Sequence, residues 1–110
     1  MYSQMIKGLL EGSILSLISK EDIYGYELLE RLQEGGFQFV SEGTIYPLLL
    51  RLQKEKLIIS YSQPSPSGPK RKYYRITKDG AEALNDFRNY WMDIENSVNF
   101  FLKKERVKED

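Results

Sequence analysis

The sequence predicts a mainly helical fold with one small β-hairpin, and residues 41–76 carry the observations that predict it. A first observation is an apolar stripe at helical spacing, formed by Ile45, Leu48, Leu49 and Leu52. Two strand-like runs follow at residues 57–61 and 71–76, both rich in β-branched and aromatic side chains. The hairpin tip that joins them, residues 64–72, has three prolines and a glycine and ends in three cations. A helix followed by a hairpin with a basic tip is typical of a winged helix-turn-helix, which reads the major groove of DNA.

Length and composition limit the function classes. A chain of 110 residues is one domain, and it contains no cysteine and no histidine. This excludes disulfides, zinc sites built from Cys and His, and Cys or Ser-His nucleophiles. Acidic residues are scattered without a glycine-rich phosphate loop, so we expect neither an enzyme nor a cofactor. There is no apolar run long enough to span a membrane and no signal-peptide pattern, so we expect a soluble cytoplasmic protein.

The charge distribution supports a DNA-binding function although the net charge is zero. Residues 41–75 carry a net charge of +5, whereas residues 1–40 and 76–99 each carry −3. The positive charge is therefore concentrated in the predicted reading helix and hairpin, where phosphate contacts would be made.

Two helices are predicted before this segment. The first covers about residues 4–19 and has a wide apolar face, formed by Ile6, Leu9, Leu10, Ser13, Ile14, Leu17 and Ile18. The second covers about residues 24–34 and ends at the Gly35-Gly36 pair, a natural C-terminal cap.

The third helix begins near Ser41, a good N-cap residue, although Pro47 leaves its start open. Pro47 has no N–H for the Gly43 carbonyl, so Thr44 is an alternative cap. On a helical wheel Thr44, Tyr46 and Arg51 flank an outward face that includes Gly43. Thr44 and Tyr46 are the base-reading candidates because they lie near the N-terminus of the helix, and Gly43 permits close backbone approach.

The hairpin tip and the start of the second helix complete the candidate DNA-binding set. Cations at the tip fit phosphate or minor-groove contacts, although such a run can also be merely solvated. Tyrosines at the helix start can donate hydroxyls to phosphate or pack half-buried. The full set is Tyr24, Tyr26, Ser41, Gly43, Thr44, Tyr46, Arg51, Lys70, Arg71 and Lys72.

A fourth, long helix opens at Thr77, with Asp79 in its first turn. Its apolar residues follow heptad spacing, as Leu84, Phe87, Trp91, Ile94, Val98 and Phe101. At some 25 residues it would be about 38 Å long, which exceeds the body of so small a domain. We therefore expect a DNA-binding domain at residues 1–76 and a dimerisation helix with a polar tail at 77–110. The alternative to dimerisation is that the fourth helix packs along the first helix of the same chain.

Four segments together resemble the PadR family of transcriptional regulators. They are residues 24–28 (YGYEL), 41–49 (SEGTIYPLL), 68–77 (GPKRKYYRIT) and the following Gly80. The resemblance covers essentially the whole chain and is greatest to the compact branch, which has a single short C-terminal helix. It implies a winged-helix homodimer that binds a palindromic operator, usually as a repressor, with the fourth helix against the partner's first and fourth helices. The candidate interface comprises Leu9, Leu10, Ile14, Leu84, Phe87, Trp91, Ile94, Val98 and Phe101.

Trp91, the only tryptophan, has two interpretations. One interpretation is that it is a core residue of the dimer interface. The other, which the resemblance implies from some members of the family, is that it lines a cavity between subunits for flat apolar aromatic ligands. The candidate effector residues are Phe87, Tyr90, Trp91 and Ile94. The alternative function is a winged-helix module for protein contacts only, against which the tip cations argue.

Overall fold

The computed structural model describes residues 2–103 and residue 106, with the backbone alone for residues 2–4. It confirms a mainly helical fold with a small antiparallel sheet. The elements in chain order are α1 (Tyr2–Lys20), β1 (Ile23–Tyr24), α2 (Gly25–Glu34), α3 (Glu42–Lys54), β2 (Ile58–Gln63), β3 (Arg71–Ile76) and α4 (Lys78–Leu102).

A single apolar core joins the first three helices to the sheet. The predicted stripe of α3 is buried there, and it packs with the apolar faces of α1 and α2. Leu10 and Ile14 of α1 are among the fully buried side chains, and Leu84 closes the core from α4. No polar or charged side chain is buried among the described residues, so the interior is held by apolar packing.

The sheet has one more strand than the sequence predicts. Its order is β1-β3-β2, and the short β1 pairs with β3 through Ile23–Tyr74 and Tyr24–Tyr73. Tyr24 is extended and is the N-cap of α2, so the helix begins one residue after the predicted start near Tyr24. Two residues are too few to show the alternation that marks a strand in a sequence. Their pairing also depends on β3, which is distant in the chain.

The helix boundaries follow the local signals closely. Gly36 has a φ of 123° just beyond α2, which agrees with the predicted stop at the glycine pair. Ser41 is the N-cap of α3, and its carbonyl accepts hydrogen bonds from the amides of Thr44 and Ile45. Pro47 therefore lies inside α3, and the alternative start at Thr44 is wrong.

Helix α4 is attached to the sheet at its first turn. The Thr77 hydroxyl oxygen accepts a hydrogen bond from the Gly80 amide at 3.0 Å, which confirms the predicted cap. The same hydroxyl donates to the Lys56 carbonyl at 2.7 Å. Gly80 is buried against the backbone of Leu57, where an added Cβ would lie far inside contact distance of the Leu57 carbonyl oxygen.

Replacing Gly80 with alanine should therefore destabilise the fold by about 3 kcal/mol, because overpacking against backbone leaves little room to relax. Gly43→Ala is the matched control, since its added Cβ would meet only the Ser41 hydroxyl at 3.7 Å. It should stabilise the first turn of α3 by about 0.5 kcal/mol. Thermal or urea unfolding measures both variants, and equal midpoints would contradict the close contact at Gly80.

The second half of α4 projects away from this body. Residues 88–103 are all exposed, which is a helical length of about 22 Å for residues 88–102. The radius of gyration is 17.0 Å, whereas a compact chain of this length has roughly 13 Å. No side chain in this projecting part is fully buried, although Trp91 near its start is only 40% exposed.

Candidate nucleic-acid interface

The outer face of α3 is an exposed ridge. Gly43, Pro47, Leu50 and Lys54 are all exposed, as the helical wheel predicts. Thr44 and Tyr46 lie on opposite flanks of this ridge, and each lines a different groove.

The first groove, of about 370 Å³, brings together α2, α3 and the hairpin. We call it the wing-side groove; it is lined by Tyr24, Gly25, Tyr26, Tyr46, Arg71, Lys72 and Tyr74. Five of the ten predicted DNA-binding residues thus meet around one space, although they come from four separate elements, β1, α2, α3 and β3.

Tyr46 occupies this groove because Gly25 has no side chain. A Cβ on Gly25 would lie 2.9 Å from Cε1 of Tyr46, which is too close for a real contact. The Tyr46 side chain remains accessible, since the residue is 41% exposed. Burial raises the pKa of Tyr46, with a smaller contribution from the Glu42 carboxylate. Its hydroxyl therefore stays protonated at neutral pH and can donate a hydrogen bond.

Two of the three tip cations, Arg71 and Lys72, line the same groove. Arg71 is held with its guanidinium carbon 4.4 Å from the centre of the Tyr24 ring, a cation–π contact. Lys70 and Lys72 are exposed at the hairpin. Within the part of the chain that the structure describes, none of these three cations has a carboxylate partner. Their charge is therefore available to an external anion.

The second groove, of about 510 Å³, separates α3 from the N-terminal half of α1. Thr44 lies half-buried at its edge, near Phe39 and Pro47. Arg51 also lines it, but its Nε lies 3.5 Å from Glu11 and 3.6 Å from Glu55. Two carboxylates already neutralise this predicted DNA contact, which lowers its value for phosphate binding.

Sequence reasoning missed a cluster at the base of the hairpin, formed by Asp22, Tyr61 and Arg75. Arg75 Nε and the Tyr61 hydroxyl both donate to Oδ2 of Asp22, at 3.0 and 2.5 Å. Hydrogen bonds from Arg75 and then Tyr61 hold the pKa of Asp22 below its ordinary value, so the stabilisation is present at neutral pH and lost as pH falls through that lowered pKa. Tyr61 and Arg75 lie 39 and 53 positions after Asp22, so no local pattern relates them to it.

The family comparison agrees with this geometry. The profile of the family described as "Transcriptional regulator PadR-like family" matches residues 14–86, more than half of the chain. The chain belongs to the PadR-like family. Members are transcriptional regulators, which are not enzymes; they bind DNA and are typically dimeric.

Solved structures and a curated relative are similar over most of this PadR-like chain. A PadR-like transcriptional regulator from Bacillus cereus is 56% identical, with a TM-score of 0.84, over 93% of this chain and 99% of that one. A Streptococcus transcriptional regulator is 43% identical, with a TM-score of 0.82, over 89% and 96%. The transcriptional regulator Rv3488 of Mycobacterium tuberculosis is 33% identical over 77% of this chain and 78% of its own length.

The predicted interface residues of this PadR-like chain divide into three groups by exposure. Leu10 and Ile14 are 0% exposed, and Leu84 is also buried, so these three side chains belong to the subunit core and are out of a partner's reach. Leu9 and Phe87 are half-buried. The exposed remainder lies on α4 and consists of Trp91, Ile94, Val98 and Phe101.

Trp91 and Phe87 line a cavity of about 360 Å³ between α1, α2 and α4 of one chain. Gly12 of α1 lets Phe87 approach, because a Cβ there would overlap the phenylalanine ring. Tyr90 and Ile94 are exposed and are not among the lining residues. The structure therefore brings together two of the four predicted effector residues.

The described residues offer neither a metal site nor a membrane-spanning helix. No group of His, Cys, Asp and Glu there is arranged to hold a metal ion. No helix in that part of the chain is long and apolar enough to cross a membrane.

Proposed function

We propose that this PadR-like protein is a homodimeric repressor that binds a palindromic operator. The observation that carries the proposal is the convergence of α2, α3 and the hairpin on one groove beside an exposed ridge. In this arrangement the ridge of α3 enters the major groove, and Lys70, Arg71 and Lys72 grip the backbone beside it.

The tyrosines of the wing-side groove fit two roles in such a complex. Tyr26 is exposed at the start of α2, where helix amides and hydroxyls favour a phosphate. Tyr24 instead supports Arg71 through its ring, so its contribution is to hold a cation in place. Tyr46 presents a protonated hydroxyl from the flank of α3, which suits a base edge or a phosphate oxygen.

Dimerisation supplies the second half of the reading surface. The projecting part of α4 carries an exposed apolar stripe, and such a surface is a liability on a monomer. A second copy provides a matching stripe, and two-fold symmetry then presents two equivalent α3 ridges. The half-sites should be about one helical turn apart, or a multiple of it.

The experiment that tests this function is a footprint on the DNA flanking the protein's own coding region, followed by binding to the protected duplex. We expect protection of an inverted repeat and lower expression from a reporter that carries it. Binding no tighter than to a random duplex of equal length would contradict the operator, and a protected site without inverted symmetry would contradict the symmetric dimer.

Thr44 and Tyr46 should determine which operator variants bind. Thr44→Ala and Tyr46→Phe should each change discrimination among single-base variants by about 1–3 kcal/mol, with binding to random DNA largely kept. Tyr46→Phe keeps the ring in its place beside Gly25 and removes only the hydroxyl. Tyr26→Phe is the contrasting variant, because loss of a phosphate contact weakens specific and random duplexes alike. Equal losses on both duplexes for Thr44 and Tyr46 would assign them to positioning.

A flat aromatic effector is the second part of the regulatory proposal. If such a ligand enters the cavity beside Trp91 and prefers the subunit arrangement that DNA disfavours, it should quench tryptophan emission and release operator over the same concentration range. Phe87→Ala, which removes a ring from the same cavity, should weaken both effects together. Quenching without operator release would show binding that does not regulate.

A further inference from the structure

The Asp22 carboxylate links the hairpin to the segment that leads into α2. Its Oδ2 accepts from Arg75 Nε at 3.0 Å and from the Tyr61 hydroxyl, and Arg75 Nη2 lies 2.9 Å away. Tyr61 is on β2 and Arg75 is on β3, whereas Asp22 directly precedes β1, which runs into α2 without a loop. One carboxylate oxygen therefore ties both strands of the hairpin to the helix-turn-helix.

A row of rings continues this connection across the sheet to the wing-side groove. The Arg75 guanidinium lies 5.1 Å from the Tyr61 ring centre, and Tyr61 stacks on Tyr73 at 5.8 Å. Tyr73 contacts Tyr24 at 5.7 Å, and Tyr24 carries Arg71. The row thus joins the Asp22 cluster to Arg71, a predicted phosphate-binding cation.

A hairpin of this size needs such support. Two-stranded hairpins are marginally stable by themselves, and among the described residues only the two-residue β1 extends this one into a sheet. If the wing became ordered only when DNA binds, the free-energy cost of that ordering would weaken binding. A wing that is already held in place before binding therefore gives tighter binding.

We propose that Asp22 is a positioning residue for DNA binding, which acts through Tyr61 and Arg75 to hold the wing at a fixed angle to α2 and α3. The proposal rests on the proposed function, since it assumes that the wing contacts phosphates. It makes a prediction opposite in sign to simple electrostatics. Asp22 is an acid beside a cationic surface, so removal of its charge by itself would strengthen DNA binding, whereas loss of the support weakens it.

Two variants remove the support with little change in shape. Asp22→Asn removes the charge, and Tyr61→Phe removes one donor hydroxyl while keeping the stacked ring and the net charge. Glu34→Gln is the matched control for charge, because Glu34 is exposed at the far end of α2 and forms no ion pair with the described residues. Binding is measured by anisotropy of a labelled duplex from the protein's own upstream region and of a random duplex, across a salt series.

We expect Asp22→Asn and Tyr61→Phe to weaken binding to both duplexes by about fivefold or more, the lower end of ordinary coupling between sites. The slope against log salt should also become shallower, as when phosphate contacts are lost. Glu34→Gln should bind as the parent does or slightly tighter. Equal or tighter binding by the Asp22 and Tyr61 variants would overturn the proposal.

A combined variant separates wing support from general damage. In a protein that also carries Lys70→Gln, Arg71→Gln and Lys72→Gln, the Asp22→Asn change should cause no further loss, because no wing cation remains to be positioned. Additive losses would overturn the proposal. Hydrogen exchange gives an independent readout: amides of residues 62–72 should exchange faster in Asp22→Asn while those of α1 do not, and unchanged wing exchange would also overturn it.

The same variants distinguish a failure of the proposed wing contact with DNA from a failure of the proposed role of Asp22. If the triple wing variant binds as the parent does, the proposed wing contact with DNA is wrong. If the triple variant binds weakly but both support variants behave like Glu34→Gln, only the role of Asp22 is wrong.

Discussion

Replacing Ile94 with aspartate should yield a folded monomer whose affinity for operator is lower by about 10²–10⁴, since two linked half-sites no longer bind together. Ile94 is 55% exposed in the single subunit, so the change costs little there. In the dimer the same carboxylate would be buried against the apolar stripe of the partner, where an unpaired charge is costly. Val98→Asp, at a position 49% exposed, should act in the same way.

Asn96→Asp is the matched control for this prediction. Residue 96 lies about 200° around α4 from Ile94, on the opposite face, and the change adds the same single charge. Sedimentation or light scattering should give a dimer for the parent and for Asn96→Asp, and a monomer for Ile94→Asp with unchanged helical circular dichroism. A dimeric Ile94→Asp would place the interface elsewhere on the subunit.

Neutralising the wing should produce the second large effect. With Lys70, Arg71 and Lys72 all changed to glutamine, each lost phosphate contact should remove about 0.9 from the slope of log affinity against log salt. If all six contacts form in a two-winged dimer, the slope should become shallower by about 5, with weaker binding to operator and random duplexes alike. The contrast with Thr44→Ala, which should affect discrimination alone, separates anchoring from reading.

Two further variants make the wing prediction specific. A control triple variant changes the net charge by the same amount as the wing triple, with Lys20→Gln, Arg88→Gln and Lys103→Gln. These exposed positions lie on α1, on α4 and just after α4, so the salt slope of this variant should stay near that of the parent. Lys70→Gln with Lys72→Gln keeps Arg71 on the Tyr24 ring. If the three cations contribute equally, this double variant should keep one third of the wing's contribution to the slope of log affinity against log salt. An equal drop in slope for the control triple would indicate a general charge effect.

The sequence by itself determined the elements whose signals are local. The apolar stripe of α3, the Thr77 cap and the glycine pair after α2 each depend on neighbouring residues, and each is found where it was predicted. The same is true of the exposed ridge of α3, because helical periodicity alone determines which residues point away from the core. The resemblance to PadR regulators also rested on local signals, since its motifs are short contiguous segments of the chain.

The tertiary structure decided what each face meets. Periodicity showed that Leu10 and Ile14 lie on an apolar face, but only packing showed that their own core covers that face rather than a partner. Likewise β1 exists because β3 lies beside it, and Tyr46 has its place because Gly25 leaves room. Asp22 is an ordinary surface acid in the sequence. It becomes the tie between wing and helix only when β2 and β3 bring Tyr61 and Arg75 to it, since hydrogen bonds depend on distances in space, which local sequence does not encode.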